Sequence, residues 1–351
     1  MSASPARSQP EYVTFAGDVR RDREAVLAAW RGNIGQEQRH APKFDWFYRA
    51  CPFGEPLVRL LRHAPTGALV GVGAAGQRRM FRAGRELRAG VLVDLAVATE
   101  HRSLGPAITL QKALMSAGEE RLDLLYGFPN PKAAPVFKRV GYEKIGELVR
   151  YARVLRYRRQ LPRVMPAAAA LPLGVLLDGA TRIRQAVAAR RARELRTEWV
   201  DQVVPEMDDL WRRSDHGEAA IAARDTVLLR WRFDEAPLPR TRYLLVRDAT
   251  SGVLEAWFAC QPDGADLHIR DFWSIDAAEG VGERFIDALA RAARRAGHAL
   301  LSVEYAGPAP RAGAWLDAGF VPRSRRPIFG KWSRSAGEGR QLHLTAADED
   351  E

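Results

Sequence analysis

The chain repeats itself at a spacing of about half its length, and a repeat of that size restricts it to two similarly built units. The stretch FDWFYRACPFGEPLVRLLRHAPTGALVGVGAA, from Phe44, is matched by LLRWRFDEAPLPRTRYLLVRDATSGVLEAWFAC, from Leu228. Each has an aromatic and basic start, a proline-containing turn, an apolar strand, a T-G or S-G turn and a second apolar strand, which predicts a hairpin. Downstream, VLVDLAVATEHRSLGPAITLQKALMSAGEERLDLLYGFPN is matched by LHIRDFWSIDAAEGVGERFIDALARAARRAGHALLSVEYA. Both read as strand, turn, amphipathic helix, strand. Asp94 then falls opposite Asp271, and Gly141-Tyr142 opposite Gly319-Phe320. Antiparallel strands followed by a strand–helix–strand unit, twice over, predict two α/β domains.

A chain of 351 residues, 46% of them apolar, has room for two domains of the usual ~100–200 residues, each with its own core. The formal net charge of +11 is unevenly placed: ten arginines face three acids between Arg156 and Glu198. The excess cation belongs to a connector and not to a face of the whole molecule, which argues against a nucleic-acid surface. Within the connector, the apolar run from Val164 to Ala180 holds two prolines, two glycines and Asp178, and at this length it falls at the short end of what spans a bilayer. Next, Ile183, Val187, Ala188, Ala192 and Leu195 have helical spacing beside Arg182, Arg184, Arg190, Arg191 and Arg193. This predicts a basic amphipathic helix that packs across the two domains or makes peripheral contact with an anionic membrane. Cys51 and Cys260 share no metal or redox spacing, and MSASPARSQPEY has no apolar core of a secretory signal, so a reduced, cytoplasmic protein is expected. The expected layout is a first domain over 11–155, the connector over 156–198, a second domain over 199–335 and a disordered polar tail over 336–351.

One turn of the first repeat is suited to an anion. The strand VLVDLAV leads into Arg102-Ser103-Leu104-Gly105-Pro106-Ala107 and then the apolar-periodic helix ITLQKALMSAGEE. A helix mouth offers unpaired N–H groups and the positive end of the helix dipole, which together suit a pyrophosphate. Gly105 lets the backbone approach a phosphate without a Cβ, Arg102 adds charge, and Pro106 is tolerated where the N–H has no partner anyway.

Arg102, Gly105 and Ala107 resemble the donor-binding signature Gln/Arg-x-x-Gly-x-Gly/Ala of the GNAT (N-acetyltransferase-like) superfamily. The same pattern occurs at Arg294-x-x-Gly297-x-Ala299 and Arg334-x-x-Gly337-x-Gly339, but only the Arg102 copy both follows a strand and opens a helix. A second segment, from Asn130 through Ala133 and Phe137 to Gly141-Tyr142, resembles the superfamily's Asn-x-x-Ala-x-x-hydrophobic-Tyr-x-x-x-Gly-Phe segment. The resemblance covers residues 11–155, and the second half by way of the repeat. It implies an α/β fold of the α+β type, with two tandem GNAT-like domains, each a mixed, largely antiparallel sheet flanked by helices. It also implies acetyl-CoA or another acyl-CoA as co-substrate, no metal, and an amine acceptor. The pyrophosphate would lie on Arg102, Ser103, Leu104, Gly105, Pro106 and Ala107, with Asn130 and Phe137 beside the pantetheine arm. A splayed strand around Leu95 and Val97 would give the N–H that binds the thioester carbonyl.

The chain departs from that pattern at Phe137, where many members carry a general-acid tyrosine; a phenyl ring donates no proton. Tyr142, Tyr126 and His101 are the candidates for that role, each also readable as an ordinary core or turn residue. Asp94 is read either as the general base for the amine or as a loop-anchoring carboxylate, and Asp271 shares both readings. Trp46, Phe47 and Tyr48 line an acceptor pocket or belong to the core; Trp231 at the matching position favours the core. In the second repeat Glu279 and Glu283 would repel a pyrophosphate, so that copy is expected to bind no CoA. The function expected is an acyl-CoA-dependent N-acyltransferase. The alternatives are an acyl carrier protein as donor, a Fem-like aminoacyl-tRNA-dependent transferase, and a non-catalytic acyl-CoA-binding protein. No HExxH, GxSxG or P-loop pattern is present.

Overall fold

The computed structural model describes residues 10–163, 165–166, 168–179, 194–237, 239–278, 280–333 and 341–349. The first half runs β1 (Tyr12–Ala16), α1 (Arg23–Trp30), α2 (His40–Phe44), a π turn (Asp45–Arg49), β2 (Leu57–His63), β3 (Leu69–Arg82) and β4 (Arg85–Val97). It continues with α3 (Leu104–Glu119), β5 (Leu124–Gly127), α4 (Ala134–Val140) and β6 (Glu143–Val154). A connector follows, with α5 (Tyr157–Gln160) and a helix α6 over 168–179. The second half repeats the order: β7 (Leu195–Val200), α7 (Glu206–Arg213), an added β8 (Ala220–Ala222), α8 (Thr226–Leu229), a π turn (Arg230–Asp234), β9 (Arg242–Asp248), β10 (Leu254–Asp263) and β11 (Asp266–Ser274). Then come α9 (Glu283–Arg295), β12 (Leu300–Ala306), α10 (Ala309–Asp317) and β13 (Val321–Trp332), and the chain continues into β14 (Leu342–Thr345).

Local sequence accounts for the elements that frame the site. Helix α3 buries Leu110, Leu114 and Ala117, spaced by four and three, against the sheet. It can approach β5 because Gly118 has no side chain: a Cβ there would lie 2.2 Å from Leu125 Cδ1. Helix α4 stops at Gly141, whose φ of +104° reverses the chain into β6.

The strands of the described residues form one fourteen-stranded sheet in the order β1-β2-β3-β4-β5-β13-β6-β12-β11-β10-β9-β7. Most neighbours are antiparallel; β4–β5, β11–β12 and β8–β14 are parallel. The last strands of the two halves are exchanged. β13 lies against β5 of the first half, and β6 against β12 of the second. The halves expected over 11–155 and 199–335 thus each complete the other's sheet. Strands β8 and β14 pair with each other and bridge β3 to β12, which closes a ring of strands around an apolar interior containing Met80, Leu124, Tyr126, Leu148, Ile328 and Leu344.

A reciprocal contact marks the junction of the π turns. Trp46 Nε1 donates to the Trp231 carbonyl at 2.6 Å, Trp231 Nε1 donates to the Trp46 carbonyl at 3.1 Å, and the rings stack at 5.0 Å. Such a pair adds about 0.5–1.5 kcal/mol beyond the area it buries. Trp46 and Phe47 are core residues.

Two expectations are corrected here. The segment after Gln341, expected to be disordered, is strand β14 and a buried turn over Ala346–Asp348. Leu342 and Leu344 enter the core, and the acids are neutralised by distant arginines: Arg224 holds Asp348 and Arg326 holds Glu349. Leu195, placed in the basic helix, opens β7 instead. The remaining residues of that expected helix, Ile183 to Arg193, lie outside the described residues, as does Glu279.

Candidate active site

The two halves differ where their parallel strands part. β4 and β5 pair only from Ala89–Leu124 to Val91–Tyr126 and then diverge. On its other side β4 bulges: Val72 faces Ala96, Ala74 faces Val93, and Gly73 is left opposite both Asp94 and Leu95. The bulge puts Asp94 at φ +54°, a left-handed conformation that costs a non-glycine residue free energy and recurs at functional sites. Between the diverging strands lies a cavity of about 330 Å³, a size that suits part of a small ligand. Its walls include Leu92 to Leu95, Phe128 to Asn130, Phe137, Gln111 and Lys43.

Asp94 is held from two directions. Lys43 Nζ donates to its Oδ1 at 2.7 Å and the Tyr48 hydroxyl to its Oδ2 at 2.9 Å. The Asp94 side chain is 2% exposed and that of Lys43 17%. The π turn makes this convergence possible: its i→i+5 bond, Ala50 N–H to the Asp45 carbonyl, widens the helix so that side chains five apart share a face. In the matching turn of the second half, between Leu229 and Asp234, Leu228 and Phe233 stand where the first half has Lys43 and Tyr48.

Helix α3 opens beside this cavity. Ser103 precedes it in extended conformation without capping it, so the N–H groups of Leu104, Gly105 and Ala107 are at the mouth with no side-chain acceptor from Ser103. A Cβ on Gly105 would meet nothing within 4 Å. Arg102 hydrogen-bonds Asn33, itself a wall residue, and links the helix mouth to the cavity.

The structure brings Asp94, Leu95, Asn130 and Phe137 to the cavity, whereas Arg102 to Ala107 are not among its lining residues and are tied to it through the Arg102–Asn33 bond. Asn130 also accepts the N–H groups of Lys132 and Ala133 through Oδ1, fixing the entry to α4. Val97 packs away from the cavity, with Leu61, Val70 and Leu110. Tyr142, a candidate proton donor, is displaced from that role: it is 3% exposed, packs on Phe137 and has a hydroxyl with no hydrogen-bond partner. Burial raises its phenol pKa well above the usual tyrosine value. Tyr126 is likewise buried, donating to the Asp348 carbonyl, and His101 pairs with the Tyr12 hydroxyl on a turn. Two cavity residues were missed in the sequence, Lys43 and Gln111, whose buried Oε1 has no hydrogen-bond partner; so was the role of Tyr48, which lies behind the cavity wall as a donor to Asp94.

In the second half the corresponding divergence is filled by the chain itself. β11 and β12 pair as far as Ile269–Val303; beyond that, β14 lies along Tyr305 and Ala306, and Thr345 donates to Asp271 Oδ1 at 2.9 Å. Asp271 is fully buried and lies 2.9 Å from Arg224 Nε, so it is a structural ion-pair partner. Arg311 closes the remaining space, donating to the carbonyls of Ala278 and His216. A larger surface hollow of about 670 Å³ at Val200–Val204 and Phe233 lies away from both divergences, and its Arg240 and Asp201 are paired with each other.

The fold is shared with solved N-acetyltransferase-like (GNAT) structures. The chain is similar in structure to a probable N-acyltransferase of unknown function from Enterococcus faecalis (TM-score 0.62, 11% identity, 92% of this chain and 72% of that one). It is similar to a GCN5-related N-acetyltransferase from Anabaena variabilis (TM-score 0.60, 12% identity, 92% and 72%) and to Saccharomyces cerevisiae N-myristoyltransferase solved with bound myristoyl-CoA (TM-score 0.53, 13% identity, 94% and 84%). No protein-family model and no curated protein matches the sequence.

Proposed function

We propose that the protein is an acyl-CoA-dependent N-acyltransferase built from two tandem GNAT-like halves, of which the first carries the chemistry and the second is structural. The observation that carries this reading is the contrast between the divergences: in the first half it forms a cavity beside an uncapped helix mouth, while in the second half β14 fills it. An acyl-CoA would supply an activated thioester. The N–H groups of Leu104, Gly105 and Ala107, with Arg102, would hold its pyrophosphate, and Asn130 and Phe137 would flank the arm that enters the cavity. The bulge takes Leu95 out of the regular ladder, where its backbone N–H would polarise the thioester carbonyl. Asp94 faces the same space and would accept the proton of an incoming ammonium, directly or through water. Lys43 Nζ, 2.7 Å away, is the counter-ion of that carboxylate. The acceptor is an amine; an acyl carrier protein is a second source for the same donor chemistry.

The test is isothermal titration of acetyl-CoA and a longer acyl-CoA into the wild type and into Arg102→Glu/Gly105→Glu. A Cβ at position 105 would meet nothing within 4 Å, so the substituted side chain starts in open space. One site per chain is expected in the wild type. In the variant, affinity should fall about 100-fold or more, as expected when charge-assisted bonds of about 1.5–3 kcal/mol each are lost. Absence of binding for both ligands would overturn the acyl-CoA reading and leave a carrier-protein or aminoacyl-tRNA donor.

A further inference from the structure

Helix α6 has its polarity reversed for a surface helix. The residues facing the protein are small or acidic. Ala170 and Asp178 are buried, and Gly174 lies so close to α5 that a Cβ would be 2.6 Å from Arg158 Cα. Asp178 fixes the helix in place, accepting the Tyr157 N–H at 2.6 Å and pairing with Arg158 at 3.7 Å. The large apolar side chains face water: Leu171 is 54% exposed, Leu173 41%, Val175 58% and Leu176 72%. A surface helix ordinarily directs such residues inward, and a contiguous exposed apolar patch marks an interaction site.

Charge selects the partner. Arg158 and Arg159 are exposed on α5, the helix against which α6 packs, and the sequence that follows α6 carries Arg182, Arg184, Arg190, Arg191 and Arg193. We propose that α6, with Arg158 and Arg159 beside it, docks the protein on an anionic lipid bilayer, with α6 lying in the plane of the interface. An apolar helix face beside exposed Arg158 and Arg159 matches acyl chains beneath anionic headgroups, whereas a second copy of the chain would bring the same positive charge against itself. At 1.5 Å per residue α6 is about 18 Å long, and among the described residues no helix is long and apolar enough to cross a membrane. The contact is therefore peripheral, and it stands independently of the acyltransferase reading.

The experiment is vesicle flotation of the full chain with phosphatidylcholine alone and with phosphatidylcholine–phosphatidylglycerol, at low and high salt. The comparison protein is Leu171→Ser/Val175→Ser/Leu176→Ser, whose altered side chains lie in solvent and whose thermal unfolding should match the wild type. Binding to the anionic vesicles is expected, weakened about tenfold or more by the triple substitution and by high salt. No anionic-vesicle binding, equal binding to neutral vesicles or equal binding by the triple variant each overturns the proposal. Concentration-dependent self-association that the triple variant abolishes, without vesicle binding, assigns the face to a second copy instead.

Discussion

Arg224→Met will destabilise the folded chain by about 3–5 kcal/mol, the usual result of removing one partner from a buried ion cluster. Arg224 is fully buried and serves two carboxylates at once: Nε lies 2.9 Å from Asp271 Oδ2 and Nη2 lies 2.7 Å from Asp348 Oδ2. Asp348 also accepts the Thr345 N–H at 2.7 Å, so the guanidinium ties the C-terminal turn to β11. Without it two buried acids lose their counter-ion and the turn over Ala346–Asp348 loses its anchor. Urea unfolding should show the midpoint falling. The compensated variant Arg224→Met/Asp271→Asn/Asp348→Asn should recover most of the loss, because its cavity then holds no unpaired charge. A midpoint shift of less than about 1 kcal/mol in the single variant would mean that water reaches the cluster.

The cluster also gives stability a pH dependence of unusual sign for a carboxylate. Burial raises the Asp271 pKa to about 6; Arg224 opposes the rise and Asp348 adds to it. The folded state thus holds this proton more tightly than the unfolded chain does. The stability it contributes is present below the ordinary aspartate value and is lost as pH rises from about 4 to about 6. In Asp271→Asn this component disappears, so the stability advantage of the wild type over the variant should shrink across that window.

Asp94→Asn will lower kcat by about 10²–10³, within the range contributed by a positioned proton acceptor, while acyl-CoA affinity stays within about threefold because Asn keeps the shape of the cavity. Asparagine can still accept from Tyr48, yet Lys43 loses its counter-ion and the amine loses its base. The pH–rate profile separates this role from a merely structural one. The acid limb should disappear in the variant if Asp94 takes the proton. An unchanged profile with a lowered unfolding midpoint would make Asp94 only the anchor of the bulge.

The repeat was legible because apolar periodicity is local: β2 through β4 and β9 through β11 each announce themselves within a few residues. The helix mouth at Gly105 was legible for the same reason. What escaped notice depends on partners far apart in the chain. Lys43 reaches Asp94 across fifty-one positions and Arg224 reaches Asp348 across 124, so the acids looked like a solvated tail. A comparison of the repeats would have shown that Lys43 and Tyr48 are matched by Leu228 and Phe233 in the half that also lost its phosphate turn. Nothing in the alternation of β6 or β13 says which half it will join, since either could extend either sheet with the same faces buried.

The exchange of those two strands has a consequence for the protein while it is being made. Strand β5, buried along its whole length, receives its outer neighbour only when β13 emerges from the ribosome, nearly 200 residues later. At a synthesis rate of about 5–20 residues per second the nascent first half waits about 10–40 s with an unpaired apolar edge. Early release of the chain, or expression of 11–155 alone, leaves that edge open to pairing with another molecule.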